Sequence, residues 1–157
     1  MTTLTKGTSV TQWTRRAILT AVCGVLACAL PGCAGGPSKA IGNPAEGLNC
    51  IDDSARCVAK RQATLRYYMA SPDRNWIRQR PDGAAYASGV RLFAYKRQKD
   101  KLSCSELKSG VNEANGAPRA LKAAGGRLTP AQVSRGKMLA QEVGRDLKRE
   151  MRRRCRG

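Results

Sequence analysis

Seven cysteines, at positions 23, 28, 33, 50, 57, 104 and 155, constrain this chain more tightly than any other feature of it. Aromatic residues are 4% of the 157, so a core has to be built mostly from Leu, Val, Ala and a few Tyr. Such a core is small, and small domains often need covalent staples. Three of the cysteines fall within the first 33 residues. The other four are separated by 7, 47 and 51 positions. No Cys-x-x-Cys spacing occurs, so neither a thioredoxin-type redox pair nor a zinc knuckle is signalled.

The first three cysteines sit in or beside an apolar run. Arg15 and Arg16 precede residues 17–30, AILTAVCGVLACAL, which carry no charge. A positive flank, an apolar stretch and small residues beyond it read as an export signal. The run has 14 residues, short of the roughly 20 that a membrane-spanning helix needs. It ends in Leu30-Pro31-Gly32-Cys33, which resembles the lipobox of bacterial lipoprotein precursors, with Pro31 where that class has Ala, Ser or Thr. The resemblance covers residues 1–35 and implies lipidation of the Cys33 thiol and cleavage just before it. Cleavage after Ala29 or Ala34 is the competing reading. Thr14-Arg15-Arg16-Ala17-Ile18-Leu19 is also similar to a twin-arginine export signal, with an ordinary positive flank as the alternative.

The lipoprotein resemblance implies a cell-envelope protein, anchored by lipid and facing the periplasm. Ala34 after the modified cysteine favours the outer membrane under the sorting rule of enteric bacteria. Removing Cys23 and Cys28 with the signal and giving Cys33 to lipid leaves Cys50, Cys57, Cys104 and Cys155. Four cysteines in an oxidising compartment imply two disulfides, with three possible connectivities.

Residues 34–48 are rich in Gly, Pro and Ala and read as a flexible tether. The expected organisation is a signal over 1–32, a lipidated cysteine and linker over 33–49, and a basic helical domain over 50–157. Within that domain, Asp52, Asp53 and Ser54 are helix caps, and a helix is expected to residue 70 with Val58, Leu65, Tyr68 and Met69 on one side. A short turn over 74–79 places Trp76 and Ile77 on the core. After the Pro81-Asp82-Gly83 turn, Tyr86, Gly89, Val90 and Phe93 share one face of a helix, and a strand over 90–95 is the alternative. Ser103 and Glu106 form a capping box that opens a helix through Leu107, Val111 and Ala114. Asn115, Gly116 and Pro118 are expected to end it.

Thr129-Pro130 opens the last helix. Its inner stripe is Val133, Gly136, Ala140, Val143, Leu147 and Met151, continued by Cys155, which predicts a buried disulfide there. Gly136, Ala140 and Gly144 step by four, which suits close approach of another helix. The fold class expected is all-α, a small bundle of four to five helices stapled by two disulfides.

Lys and Arg total 29 against 11 Asp and Glu, and the formal net charge is +18. A balance this basic predicts attraction to polyanions. The absence of His removes the usual general base near neutral pH, the Ser-His and Cys-His nucleophile pairs, and the commonest metal ligand. No catalytic constellation, metal set or cofactor motif is read from the chain. Asp52 and Asp53 read as helix caps, and Glu142, Asp146 and Glu150 as partners of neighbouring basic residues. The candidate site is the basic outer surface of the last helix, Arg145, Lys148, Arg149, Arg152 and Arg153, as an anion-binding set. The function expected is non-catalytic. A lipid-anchored envelope domain would contact anionic membrane, an envelope polymer or a partner protein. A membrane-tethered nucleic-acid-binding protein and an envelope enzyme or enzyme inhibitor are the alternatives, with nucleic acid disfavoured by the export signal.

Overall fold

In a computed structural model of the chain, residue 43 and residues 45–155 are described. The expected export signal, Cys33 and most of the expected tether lie outside the described residues, as do Arg156 and Gly157. Five helices follow one another: α1 Ala55–Ala70, α2 Gly83–Ser88, α3 Val90–Gln98, α4 Cys104–Ala123 and α5 Pro130–Arg154. Short 3-10 turns at Glu46–Leu48, Asn75–Arg78, Lys99–Lys101 and Gly125–Arg127 connect or flank them. The fold is all-α among the described residues, and the cysteines pair as Cys50–Cys57 and Cys104–Cys155.

Helix starts follow local chemistry. Ser54, Asp82, Ser103 and Thr129 each accept a hydrogen bond from the third backbone amide after them. Ser103 with Glu106, and Thr129 with Gln132, complete reciprocal capping boxes. These bonds satisfy amides that the first helical turn leaves without partners.

The ends follow tertiary packing instead. Asn115, Gly116 and Pro118 do not end α4, which runs on to Ala123. Pro118 has no N–H to give to the Ala114 carbonyl, a loss that usually breaks a helix. Here Ala117 and Leu121 are buried, and their burial holds the last turns in place. The single helix expected through Tyr86 and Phe93 is two helices, divided at Gly89. That residue caps both with φ +75°, a left-handed conformation that glycine adopts without strain. The corner turns Phe93 outward, leaving it 44% exposed, while Leu92, Ala94 and Tyr95 fill the core. Residues 90–95 are helical, not extended.

Three further expectations are corrected. The linker expected over 33–49 gives way by residue 45, because Glu46–Leu48 dock on α1. A methyl group at Gly47 would lie 2.4 Å from Thr64 Oγ1, and the Gly47 amide donates to that same oxygen. This docking shifts the buried stripe of α1 to Cys57, Thr64 and Tyr68, leaving Val58 and Leu65 half-buried and Met69 exposed. The Cys104–Cys155 disulfide is not buried: Cys104 is exposed and Cys155 half-buried.

The two long helices pack antiparallel, and small residues set their distance. A methyl group at Gly144 would touch Ala114 Cβ at 3.3 Å, and one at Gly136 would approach Leu121 Cδ1 to 2.9 Å. The predicted close approach along α5 is therefore present. Gly110 on α4 does the same service, with Leu147 and Tyr95 side-chain atoms 2.7 Å from where its methyl would be.

Candidate functional site

All eleven carboxylates of the sequence lie between Glu46 and Glu150, and the chain's own groups occupy every one. Asp52 accepts from the Ser54 amide and Asp82 from the Ala85 amide. Asp73 accepts from Asn75. Glu46 pairs with Lys60, Asp53 with Arg61 and Arg135, and Asp100 with Arg153. Glu106 pairs with Arg74 and Glu113 with Arg91. On α5, Glu142 pairs with Lys96, Asp146 with Arg149, and Glu150 with Arg153 and Arg154.

The direction these acids face matters more than their number. Glu142, Asp146 and Glu150 step by four, so they share one flank of α5, and Lys96 fixes that flank as the one toward α3. Glu106 and Glu113 likewise point toward Arg74 and Arg91, away from α5. Both long helices thus turn their acids away from the seam where they meet.

Cations line the seam. On α4, Lys108, Arg119 and Lys122 are exposed on the face that also carries Asn115. On α5, Lys137, Arg145, Lys148 and Arg152 are exposed at spacings of eight, three and four. Two contacts bring the stripes together: Lys148 Nζ donates to Asn115 Oδ1 at 3.5 Å, and Lys108 and Arg152 line one cleft. Lys108, Arg119, Lys122, Lys137, Arg145 and Lys148 form no ion pair among the described residues. From Lys108 to Lys122 the ridge is about 21 Å long at 1.5 Å per residue.

The sequence-based set divides on this surface. Arg145, Lys148 and Arg152 stand on the seam. Arg149 and Arg153 bridge to Asp146 and Glu150, whose side chains are 12% and 8% exposed. Lys108, Arg119, Lys122 and Lys137 were missed. Helical spacing through Pro118 would have aligned the first three, and an antiparallel hairpin would have joined them to α5.

Electrostatics match the geometry. A hydrogen bond from Arg153 holds the Glu150 carboxyl below its ordinary value, and one from Lys96 does so for Glu142. Each of these carboxylates is engaged by a cation of the chain itself. Among the described residues no cluster of His, Cys, Asp or Glu could hold a metal ion. No described helix is long and apolar enough to cross a membrane. What the seam offers chemically is a row of N–H donors for phosphate, sulfate or carboxylate oxygens. Comparisons with family models, curated proteins and solved structures returned no match.

Proposed function

We propose that this chain is a non-catalytic lipoprotein of the bacterial cell envelope, anchored through Cys33 and facing the periplasm. Its basic helical domain docks on an anionic membrane surface through the α4–α5 seam. The observation that carries this reading is the acid-free row of Lys108, Arg119, Lys122, Lys137, Arg145 and Lys148 beside a flank that holds the carboxylates. Each basic residue close to an anionic leaflet contributes about 1 kcal/mol. Several acting together suffice to orient a domain already tethered by lipid.

The test is co-sedimentation with vesicles of phosphatidylcholine alone or mixed with phosphatidylglycerol. Binding is expected to the anionic vesicles and to fall steeply with salt. Arg145→Gln with Lys148→Gln should weaken it about 30-fold. Arg149→Gln with Arg153→Gln removes the same charge from paired positions and should weaken it several-fold less. Equal losses, no binding by the unaltered protein, or tighter binding to duplex DNA than to vesicles would overturn the reading. The anchor is checked by intact mass: a chain beginning at Cys33 and carrying acyl groups supports it, and a full-length unmodified chain overturns it.

A further inference from the structure

The two disulfides differ in exposure and in the charged side chains beside them. Cys57 is buried, and the Asp52 Oδ2 lies 3.2 Å from its Sγ. Arg61 bonds the Cys50 carbonyl at 3.2 Å but is shared with Asp53, so Asp52 is the charge nearest this disulfide's buried sulfur. Cys104 is exposed, and with Cys155 it lines an open cleft of about 450 Å³ whose other walls are Lys108, Met151 and Arg152. Lys108 stands one turn after Cys104 on α4 and on the same face.

The Cys104–Cys155 bond is also polarised. Cys104 is the first residue of α4, at the positive end of a helix of 20 residues. Cys155 caps the C-terminal, negative end of α5. The Glu106 carboxylate, which would oppose a thiolate at Cys104, is held by two bonds from Arg74 at 2.8 and 3.2 Å. Of the two sulfurs, Cys104 is therefore the better leaving group, because leaving thiolates depart faster when stabilised.

We propose that Cys104–Cys155 is a thiol-exchange site for anionic thiols, distinct in this from Cys50–Cys57. The thiolate of the incoming molecule attacks Cys155 Sγ and forms a new S–S bond to it. The Cys104–Cys155 bond breaks, and its electron pair leaves on Cys104 as thiolate, beside Lys108 and the first amides of α4. A second thiolate attacks the sulfur of the incoming group. It releases the small molecule as its disulfide and leaves Cys155 reduced, a two-electron reduction in all. The hairpin keeps its form when the bond opens, because Leu107 and Leu147 are fully buried between the helices. Arg154 also ties the end of α5 to the carbonyls of Lys99, Asp100 and Leu102.

The experiment treats the oxidised full chain with 2-mercaptoethanesulfonate or with cysteamine, quenches by alkylation and reads each cysteine by peptide mass. With the anionic thiol, Cys104–Cys155 should open at least about tenfold faster than Cys50–Cys57, with the trapped adduct on Cys155. With the cationic thiol the ratio should shrink, and Lys108→Gln should slow the anionic reaction about threefold. Equal opening of the two disulfides, earlier opening of Cys50–Cys57, an adduct on Cys104, or a ratio indifferent to thiol charge each overturns the proposal.

Discussion

Arg91 and Glu113 form a two-pronged ion pair inside the fold, Nε to Oε1 at 2.8 Å and Nη2 to Oε2 at 2.6 Å. Their side chains are 1% and 6% exposed. Arg91 also donates to the carbonyls of Trp76 at 2.6 Å and Gln79 at 2.9 Å, and its guanidinium lies 5.5 Å from the Trp76 ring centre. One side chain on α3 therefore ties α4 to the irregular segment between α1 and α2. Trp76, stacked on Tyr68 at 4.9 Å and edge-on to Tyr95 at 4.8 Å, is held by it.

Breaking this pair leaves a buried carboxylate without a partner. Arg91→Met is expected to destabilise the domain by about 3–5 kcal/mol in urea unfolding. Arg91→Lys should recover less than half, because an ammonium cannot reproduce the planar fork. An unchanged urea midpoint for either variant would refute this account.

Gly110 sits where α4 meets both Tyr95 and Leu147. Gly110→Ala adds a methyl 2.7 Å from each, and both neighbours are fully buried core side chains. A loss of about 1–3 kcal/mol is expected, although alanine is the better helix former. A rise in Tm would show that the seam is looser than described.

Stability should be flat between about pH 5 and 9, since the chain has no His to titrate there. Below that range it should fall. Glu106 is held low by Arg74, Asp53 by Arg135, Asp52 by Ser54 and Glu46 by Lys60. A carboxyl lowered by folding stabilises the fold above its unfolded value and loses that contribution as pH falls through its folded value. Alkali acts in the opposite sense. Burial pushes the Tyr86 phenol up to about 12, so its contribution is complete below pH 10.0 and lost as pH rises toward 12. Burial also raises the Tyr95 phenol. Melting temperatures across pH 2.5–11.5 check both limbs, and a loss centred near pH 6.5 would contradict them.

The disulfides should differ in worth as their loops do. Cys104→Ser with Cys155→Ser removes a link across 51 residues and is expected to cost about 4 kcal/mol by loop-closure entropy. Cys50→Ser with Cys57→Ser opens a link across 7 residues and should cost about 2.4 kcal/mol. Equal costs in urea unfolding would place the larger effect in native-state strain rather than in the unfolded chain.

Much of the helical framework was legible from residues acting over one turn. Ser54, Ser103 and Thr129 announce their helices because a cap needs only its own amides. The stripe from Gly136 to Leu147 was legible because a 25-residue amphipathic helix repeats its signal. Pro118 and Gly116 misled because burial of Ala117 and Leu121, a long-range effect, outweighs two local breakers. Arg91 gave no warning of its burial, since its partners lie 12, 15 and 22 residues away. The cationic surface was half legible for a related reason. Helical spacing collects Arg145, Lys148 and Arg152, but the antiparallel hairpin is what adds α4 and what sets Arg149 and Arg153 apart.

On the hairpin the cations without ion pairs gather on the seam while those of the opposite flank are matched by carboxylates, so its net positive charge lies off centre. Near a charged surface such a body feels a torque before it makes contact. It would arrive already turned, with the seam leading. Capture would then depend on how fast the molecule diffuses, with little time lost to a rotational search. Reversing one pair of charges on the seam would alter the angle of arrival before it altered the strength of attachment.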